Sequence, residues 1–267
     1  MADFTFTING TKFSFRMTYD ESNPADRDTV ICMKEFGCPE PEVLHLLVRA
    51  LTPGDFVIDG GANIGFLTIV MSKLIGPYGK VLAIEPGENN LAKLKENLKL
   101  NELKNFEICD KPLWGKEEEV TYYYSSHPGM SSLSGYKMAL GKKVLPAVTL
   151  NYWKQTPRLI KLDIEGSEEQ ALRGAQRHLV SGCPYIVAEL NVDALTRLGS
   201  SQESLRSYMR QWGYSTFILF RGGELPCLVP DDTMIFESEN FNGTTNVLFS
   251  TIDKVASLWP RAILRMV

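Results

Sequence analysis

From Phe4 to Ile8 and again from Phe13 to Phe15, every second residue is large and apolar, and the two runs are separated by Asn9-Gly10. A period of two marks half-buried strands, and Asn-Gly is the favoured pair for a tight hairpin turn, so this stretch predicts a β-hairpin. Pro39-Glu40-Pro41 then leads into a helix-periodic segment from Glu42 to Leu51. Together these read as an N-terminal cap over residues 1–50.

From Phe56 onward, short apolar runs alternate with longer amphipathic ones: 56–58 then 66–75, 81–84 then 90–100, 159–162 then 168–179, 185–188 then 204–212. That alternation predicts βαβ units, an α/β fold with a mostly parallel sheet covered by helices on both faces. Leu91, Leu94 and Leu98 recur at helical spacing while Lys93, Lys95 and Lys99 take other faces, a solvated side. Ser167-Glu168-Glu169-Gln170 fits a capping box in front of the 168–179 helix. Segments 215–220 and 246–250 read as two further strands joined by a Gly- and Pro-containing loop, which suits an antiparallel pair at the end of the sheet. Residues 51–267 are thus expected to form one sheet-based domain.

Composition excludes several classes. Of 267 residues, 44% are hydrophobic and 22% charged, with a formal net charge of −4, as in a compact folded chain. There is no basic tract to bind nucleic acid and no apolar run of the ~18 residues a membrane-spanning helix needs. The N-terminus lacks the basic and continuous apolar regions of a secretory signal, so the expected location is cytoplasmic, the expected state monomer or homodimer. The five cysteines are dispersed and carry no C-x-x-C spacing, which argues against a zinc site or a disulfide framework. The Asn-Gly-Thr triplets at Asn9 and Asn242 are read as turns rather than glycosylation sites.

The chemistry concentrates at strand ends. Val57-Ile58-Asp59 runs into Gly60-Gly61-Ala62-Asn63-Ile64-Gly65-Phe66, an apolar strand opening through a Gly-rich turn into a helix. Open α/β sheets bind ligands at such carboxyl ends. The dinucleotide pattern G-x-G-x-x-G fails, because Ala62 or Asn63 takes the place of its second glycine. Glu85 ends the next strand 20 residues beyond Gly65, where a carboxylate can accept from both hydroxyls of a ribose. In 159–164, Lys161 and Asp163 alternate with Ile160, Leu162 and Ile164, and Glu165 continues the charged series; a buried parallel strand does not carry such a row unless part of it faces a cavity.

Asp-x-Gly-Ala-x-x-Gly resembles motif I of S-adenosylmethionine-dependent methyltransferases. Lys161-x-Asp163-x-Glu165-Gly166, with Pro53-Gly54-Asp55, Pro77-Tyr78-Gly79-Lys80, Glu96-Asn97-Leu98, Leu172-Arg173-Gly174-Ala175, Ala188-Glu189-Leu190, Gly213-Tyr214 and Asn246-Val247-Leu248-Phe249, resembles the FkbM family over roughly residues 26–250. The resemblance implies a Rossmann-like class I methyltransferase fold, a seven-stranded sheet with an antiparallel last strand. It also implies an O-methyltransferase acting with S-adenosylmethionine on a hydroxyl of a sugar, polyketide or similar small molecule. It assigns the cofactor to Asp59, Gly60, Gly61, Ala62, Asn63, Gly65 and Phe66, to Glu85 and Pro86, to Asp110 and Lys111 beside the adenine, and to Asp163. Gly60 departs from the pattern, since relatives often carry a β-branched or other apolar residue there.

Methyl transfer to a hydroxyl needs alignment and a proton acceptor. Asp163 is the first candidate base, then Glu165 and Glu189, while Glu165 and Glu168 could instead simply favour a helix N-terminus. His127, in a polar loop, is a candidate for acceptor contact or base against a solvated loop residue; His45 and His178 read as structural, the latter as a cation near a helix end. Tyr122, Tyr123 and Tyr124 could line an acceptor cleft or divide between core and surface. Asp163, Glu189 and Asn191 could hold Mg²⁺, which would lower the acceptor's pKa. Two other readings stay open: an NAD-dependent oxidoreductase, and a cofactor-binding module without activity.

Overall fold

The computed structural model describes residues 1–22, 27, 30–32, 38–125, 131–135, 139–182, 184–235 and 245–260. Strands β1 (Ala2–Ile8) and β2 (Thr11–Met17) form the expected antiparallel hairpin, with Asn9 and Gly10 both at positive φ in its turn. Its inner face buries Phe4, Phe6, Phe13 and Phe15. Phe6 and Phe15 also meet Phe66, with ring centroids 6.1 and 5.7 Å away. Helix α1 (Pro41–Ala50) follows, with proline in its first turn, where a missing N–H costs nothing.

The sheet alternates strand and helix as the periodicity predicts: β3 (Phe56–Gly60), α2 (Phe66–Ile75), β4 (Lys80–Ile84), α3 (Glu88–Leu100) and β5 (Phe106–Cys109). A separate hairpin of β6 (Glu119–Tyr124) and β7 (Gly141–Pro146) intervenes before β8 (Leu159–Leu162). Then come α4 (Glu168–Arg173), α5 (Gln176–Ser181), β9 (Tyr185–Leu190), α6 (Val192–Arg197), α7 (Gln202–Gln211), β10 (Ser215–Ile218), β11 (Cys227–Val229), β12 (Thr245–Ser250) and α8 (Ile252–Leu258).

The strand order is β11-β10-β12-β9-β8-β3-β4-β5. Strands β3, β4, β5, β8 and β9 pair in parallel, and β12 runs antiparallel to both β9 and β10. The sheet is thus one strand wider than the seven expected, the addition being β11, a short strand inside the stretch read as loop. Alternate residues feed two cores: Val57, Val81 and Ala83 face the hairpin, α1 and α2, while Ile58, Leu82 and Ile84 face the layer of α4, α5 and α7. Strand order reverses direction between β3 and β8, so their carboxyl ends open the crevice in which such folds bind ligands. No helix among the described residues is long and apolar enough to cross a membrane.

Two local readings need correction. The 168–179 helix is two short helices, because the Gly174 carbonyl accepts from Asn151 N (2.8 Å) instead of continuing the ladder. Ser167 does not cap α4 with its side chain; its hydroxyl donates to Ile164 O (3.0 Å). The capping box lies instead at α7, where Ser201 and Ser204 exchange side-chain and backbone bonds.

Asn97 fastens the hairpin to the sheet. Its Oδ1 accepts from Thr18 N (2.7 Å) and Thr18 Oγ1 (3.0 Å), and its Nδ2 donates to Ile64 O (2.8 Å) in the Gly-rich turn. Asn97→Ala would strand several buried polar groups, each costing about 1–3 kcal/mol. We expect a loss of about 2–4 kcal/mol in urea unfolding; a loss below about 0.5 kcal/mol, the range of ordinary surface substitutions, would refute the clamp.

Candidate functional site

A cavity lies at the carboxyl ends of β3, β4 and β8, where open α/β sheets bind small molecules. The Gly-rich turn forms one wall. Gly61 and Ala62 both donate to Ile84 O (3.0 Å each), which ties the end of β3 to the end of β4. Gly61 has φ +77°, and a Cβ there would lie 1.8 Å from Asp163 O, so only glycine lets the two backbones pass. Gly60 is tight for another reason: its Cβ would press on Leu162 and Leu113, the latter a cavity residue, so bulk from neighbouring chains replaces the expected side chain.

Glu85 is buried at the end of β4. Its Oε2 accepts from Asn63 N (2.9 Å) and its Oε1 from Gly87 N (2.8 Å). A carboxylate offers about four acceptor sites, so lone pairs remain for hydroxyl donors from a ligand. Burial pushes its carboxyl up to about 7, against the pull of those two N–H groups. Tyr122, delivered by the β6–β7 hairpin, covers this corner; a Cβ on Gly87 would lie 2.8 Å from Glu85 Oε1 and 3.4 Å from Tyr122 Oη. Pro86, Asn90, Ser131 and Ser132 complete the rim. At the exit of β3, Asp59 Oδ1, with only the Lys161 ammonium 3.8 Å away, and Asn63 Oδ1 are buried and accept no hydrogen bond. Orphan acceptors beside a cavity are what a hydrogen-bond-donating nucleoside or amino-acid ligand would satisfy, so these residues fit the cofactor the resemblance implies.

Lys161 is buried at the floor. Its amine donates to Gly61 O (3.1 Å) and Asp163 Oδ2 (3.3 Å) and lies 3.8 Å from Asp59 Oδ1. Burial opposes its charge, but Asp163 and Asp59 outweigh that and hold it cationic. Thr68 Oγ1 donates to Asp59 Oδ2 (2.5 Å), and burial still raises the Asp59 carboxyl above its usual range. Strand β8 ends at Leu162, so Asp163, Ile164 and Glu165 lie in a turn rather than alternating along a strand, and all three line the cavity. Glu165 reaches it through a left-handed backbone, φ +54°.

Asp163, Glu165 and Glu189 bring carboxylate oxygens within 4.8 Å of one another. Burial, then the charges of Asp163 and Glu168, push Glu165 up to about 8, so near neutral pH this group tends to keep a proton. Asn191 is not free to complete a metal site as expected, because its Oδ1 caps α6 from Ala194 N (3.0 Å) and its Nδ2 donates to Glu165 (3.4 Å). Glu168 is buried with Oε1 accepting from Ile164 N (3.1 Å) and Gly166 N (3.2 Å), a brace for the turn.

The remaining expectations fall elsewhere. Asp110 and Lys111 are exposed and do not line the cavity, where Pro112 and Leu113 stand instead. Ala62 and Phe66 line an adjoining cavity, while Gly65 packs against Leu94. His127 lies outside the described residues, as does Asn242. His178 is buried, its Nε2 donates to Leu150 O (2.9 Å), and burial lowers its pKa, so it is a neutral core residue and not a dipole-compensating cation. His45 pairs with Asn9 Oδ1 (3.0 Å). Of the tyrosines, Tyr122 lines the site and Tyr123 turns away against Gly135. Sequence reasoning missed Asn90 and Glu40; the one signal for Glu40 was a carboxylate set between two prolines.

Residues 59–216, more than half of the chain, match the model of the methyltransferase FkbM domain, and the protein belongs to that family. Among solved structures it is similar to an FkbM methyltransferase from Methylobacillus flagellatus KT, at 19% identity and a TM-score of 0.50 over 79% of this chain, and it spans half of that protein's length. A SAM-dependent methyltransferase from Aquifex aeolicus also matches, at 14% identity and a TM-score of 0.46, over 87% of this chain and 98% of the other.

Burial pushes the Glu168 carboxyl up to about 7. A carboxyl raised in the folded state stabilises fully below the unfolded value near 4.5 and loses that contribution as pH rises through 7. Glu168→Gln removes the titration, so the variant should gain on the parent by about 1–3 kcal/mol between pH 5 and pH 8 in urea unfolding. A pH-independent difference would show that Glu168 titrates normally.

Proposed function

We propose that this methyltransferase uses S-adenosylmethionine to methylate a hydroxyl of a small molecule. The observation that carries the reading is the buried Glu85 at the end of β4, its spare lone pairs facing a cavity bounded by the Gly61 turn and Asp163. That is the place and chemistry for a ribose, with Asp59 and the turn beyond it for the amino-acid end. The family assignment and Ala62 at the second glycine position both weigh against a nicotinamide cofactor.

When bound, the cofactor supplies a methyl group on a positively charged sulfur. The chain has to align acceptor and donor and take up the acceptor's proton. Asp163 is the assigned base. It stands between both cavities, and its Oδ2 is oriented by Lys161. In such a transfer the Asp163 carboxylate would take up the hydroxyl proton as the acceptor oxygen gains the methyl group. Glu165 and Glu189, beside Asp163, would hydrogen-bond a polyhydroxylated acceptor, and Glu165 in its protonated form can donate as well as accept. The ion pair of Asp163 with Lys161 supports an enzyme over an inactive cofactor-binding module.

Calorimetry with S-adenosylhomocysteine should give saturable binding, weakened at least tenfold by Glu85→Ala through loss of charge-assisted hydrogen bonds. Absence of binding at millimolar ligand would sink the reading. Asp163→Asn should lower kcat by about 10²–10⁴ with cofactor affinity largely kept; parallel loss of both would make Asp163 a binding residue. The carboxylate cluster also gives a Mg²⁺-assisted variant one observation in its favour. Turnover abolished by EDTA and restored by Mg²⁺ would establish it, and EDTA-insensitive turnover would dismiss it.

A further inference from the structure

A second cavity adjoins the first and shares Gly61, Asn63 and Asp163 with it. Its far wall comes from the N-terminal cap: Pro39 and Glu40 stand opposite Asp59, Lys161 and Asp163. Glu40 is unusual on two counts. Its backbone is left-handed, φ +46°, a conformation that costs a residue with a Cβ and is kept where the surroundings impose it. It also occupies the N-cap of α1, where a carboxylate ordinarily bonds the free N–H groups of the first turn, yet its side chain makes no capping bond. Its carbonyl serves the helix, accepting from Val43 N and Leu44 N, and its carboxylate, hydrogen-bonded by the Asn246 side chain, lines the cavity.

Carboxyl groups outnumber cations around this space. Among the described residues Glu40, Asp59 and Asp163 face a single cation, Lys161, which is already shared between Asp163 and Asp59. Asp59 is fully buried, and its Oδ1 has no hydrogen bond, only the Lys161 ammonium 3.8 Å away. Carboxyl groups in excess around a buried space are stabilised by a positively charged hydrogen-bond donor. We propose that Glu40 receives the α-ammonium group of the bound methyl donor, so that the cap, and not the sheet alone, recognises the amino-acid end of the cofactor. This inference rests on the reading of the first cavity as the adenosine site, and the shared residues Gly61, Asn63 and Asp163 mark where one ligand would cross from one space to the other.

The test compares three ligands by calorimetry on the full chain: S-adenosylhomocysteine, its analogue with hydrogen in place of the α-ammonium, and 5′-methylthioadenosine, which lacks the amino-acid end. The parent chain should prefer S-adenosylhomocysteine over the deaminated analogue by roughly 10- to 100-fold, the scale of a charge-assisted hydrogen bond. Glu40→Gln should erase most of that preference and leave 5′-methylthioadenosine binding unchanged, which also shows that the variant is folded. Retention of the full preference in Glu40→Gln, or an equal loss for all three ligands, would overturn the proposal. If Glu40→Gln shows no cooperative melting, Glu40→Asp replaces it: a shortened carboxylate should keep a reduced preference, and an unaltered one would count against the assignment. Failure of the parent to bind any of the three overturns the cofactor reading itself, whereas tight S-adenosylhomocysteine binding indifferent to residue 40 overturns this inference alone.

Discussion

One buried ammonium group organises the centre of this protein. Lys161 reaches from the end of β8 to the carbonyl of Gly61 and to the carboxylates of Asp163 and Asp59. A cation removed from water survives only with such partners, and the partners survive only with the cation; breaking a pair of this kind typically costs about 3–5 kcal/mol. Because those partners lie on the turn after β3 and at the end of β8, the same interaction fixes the closest approach of two backbones at the point where strand order reverses. The glycine at 61, the orphan oxygen of Asp59 and the orientation of Asp163 are all consequences of where this amine sits.

The cavities around that centre are finished by elements that do not belong to the sheet. The β6–β7 hairpin brings Tyr122 over Glu85, and the N-terminal cap brings Glu40 toward Lys161. The N-terminal cap is anchored to the sheet's own helices. Asn97 of α3 holds the end of the first hairpin and the Gly-rich turn with one side chain, and Phe66 of α2 takes the hairpin's aromatic face. Strain collects here too: besides glycine, positive φ occurs at Glu40, Asn63 and Glu165 on the cavity walls, and at Asn9 and Glu102 in turns.

Much of this was legible in the sequence because it is periodic or covalently local. Alternation gave the first hairpin, the switch between periods two and 3.6 gave the βα units, and the strand ends located Asp59, Glu85 and Asp163. What was not legible depends on partners distant in sequence. The break at Gly174 follows from a bond to Asn151, and the loss of Asn191 as a free ligand follows from a helix too short to announce itself. Asp110 and Lys111 were placed by analogy with the fold, and the chain turns there so that Pro112 and Leu113 face inward instead. His178 read as a cation because sequence shows its position on a helix and not the burial that keeps it neutral.

The formal charge of −4 counts every carboxylate as ionised. In the folded chain Glu40, Glu85 and Glu168 are raised to about 7 and Glu165 to about 8, so near neutrality a fraction of that charge is absent. Unfolding returns these groups to water and releases their protons. The folded protein therefore migrates in an electric field as a less acidic molecule than its composition describes, and a ligand carrying positive charge into the cavities would draw out the protons stored there.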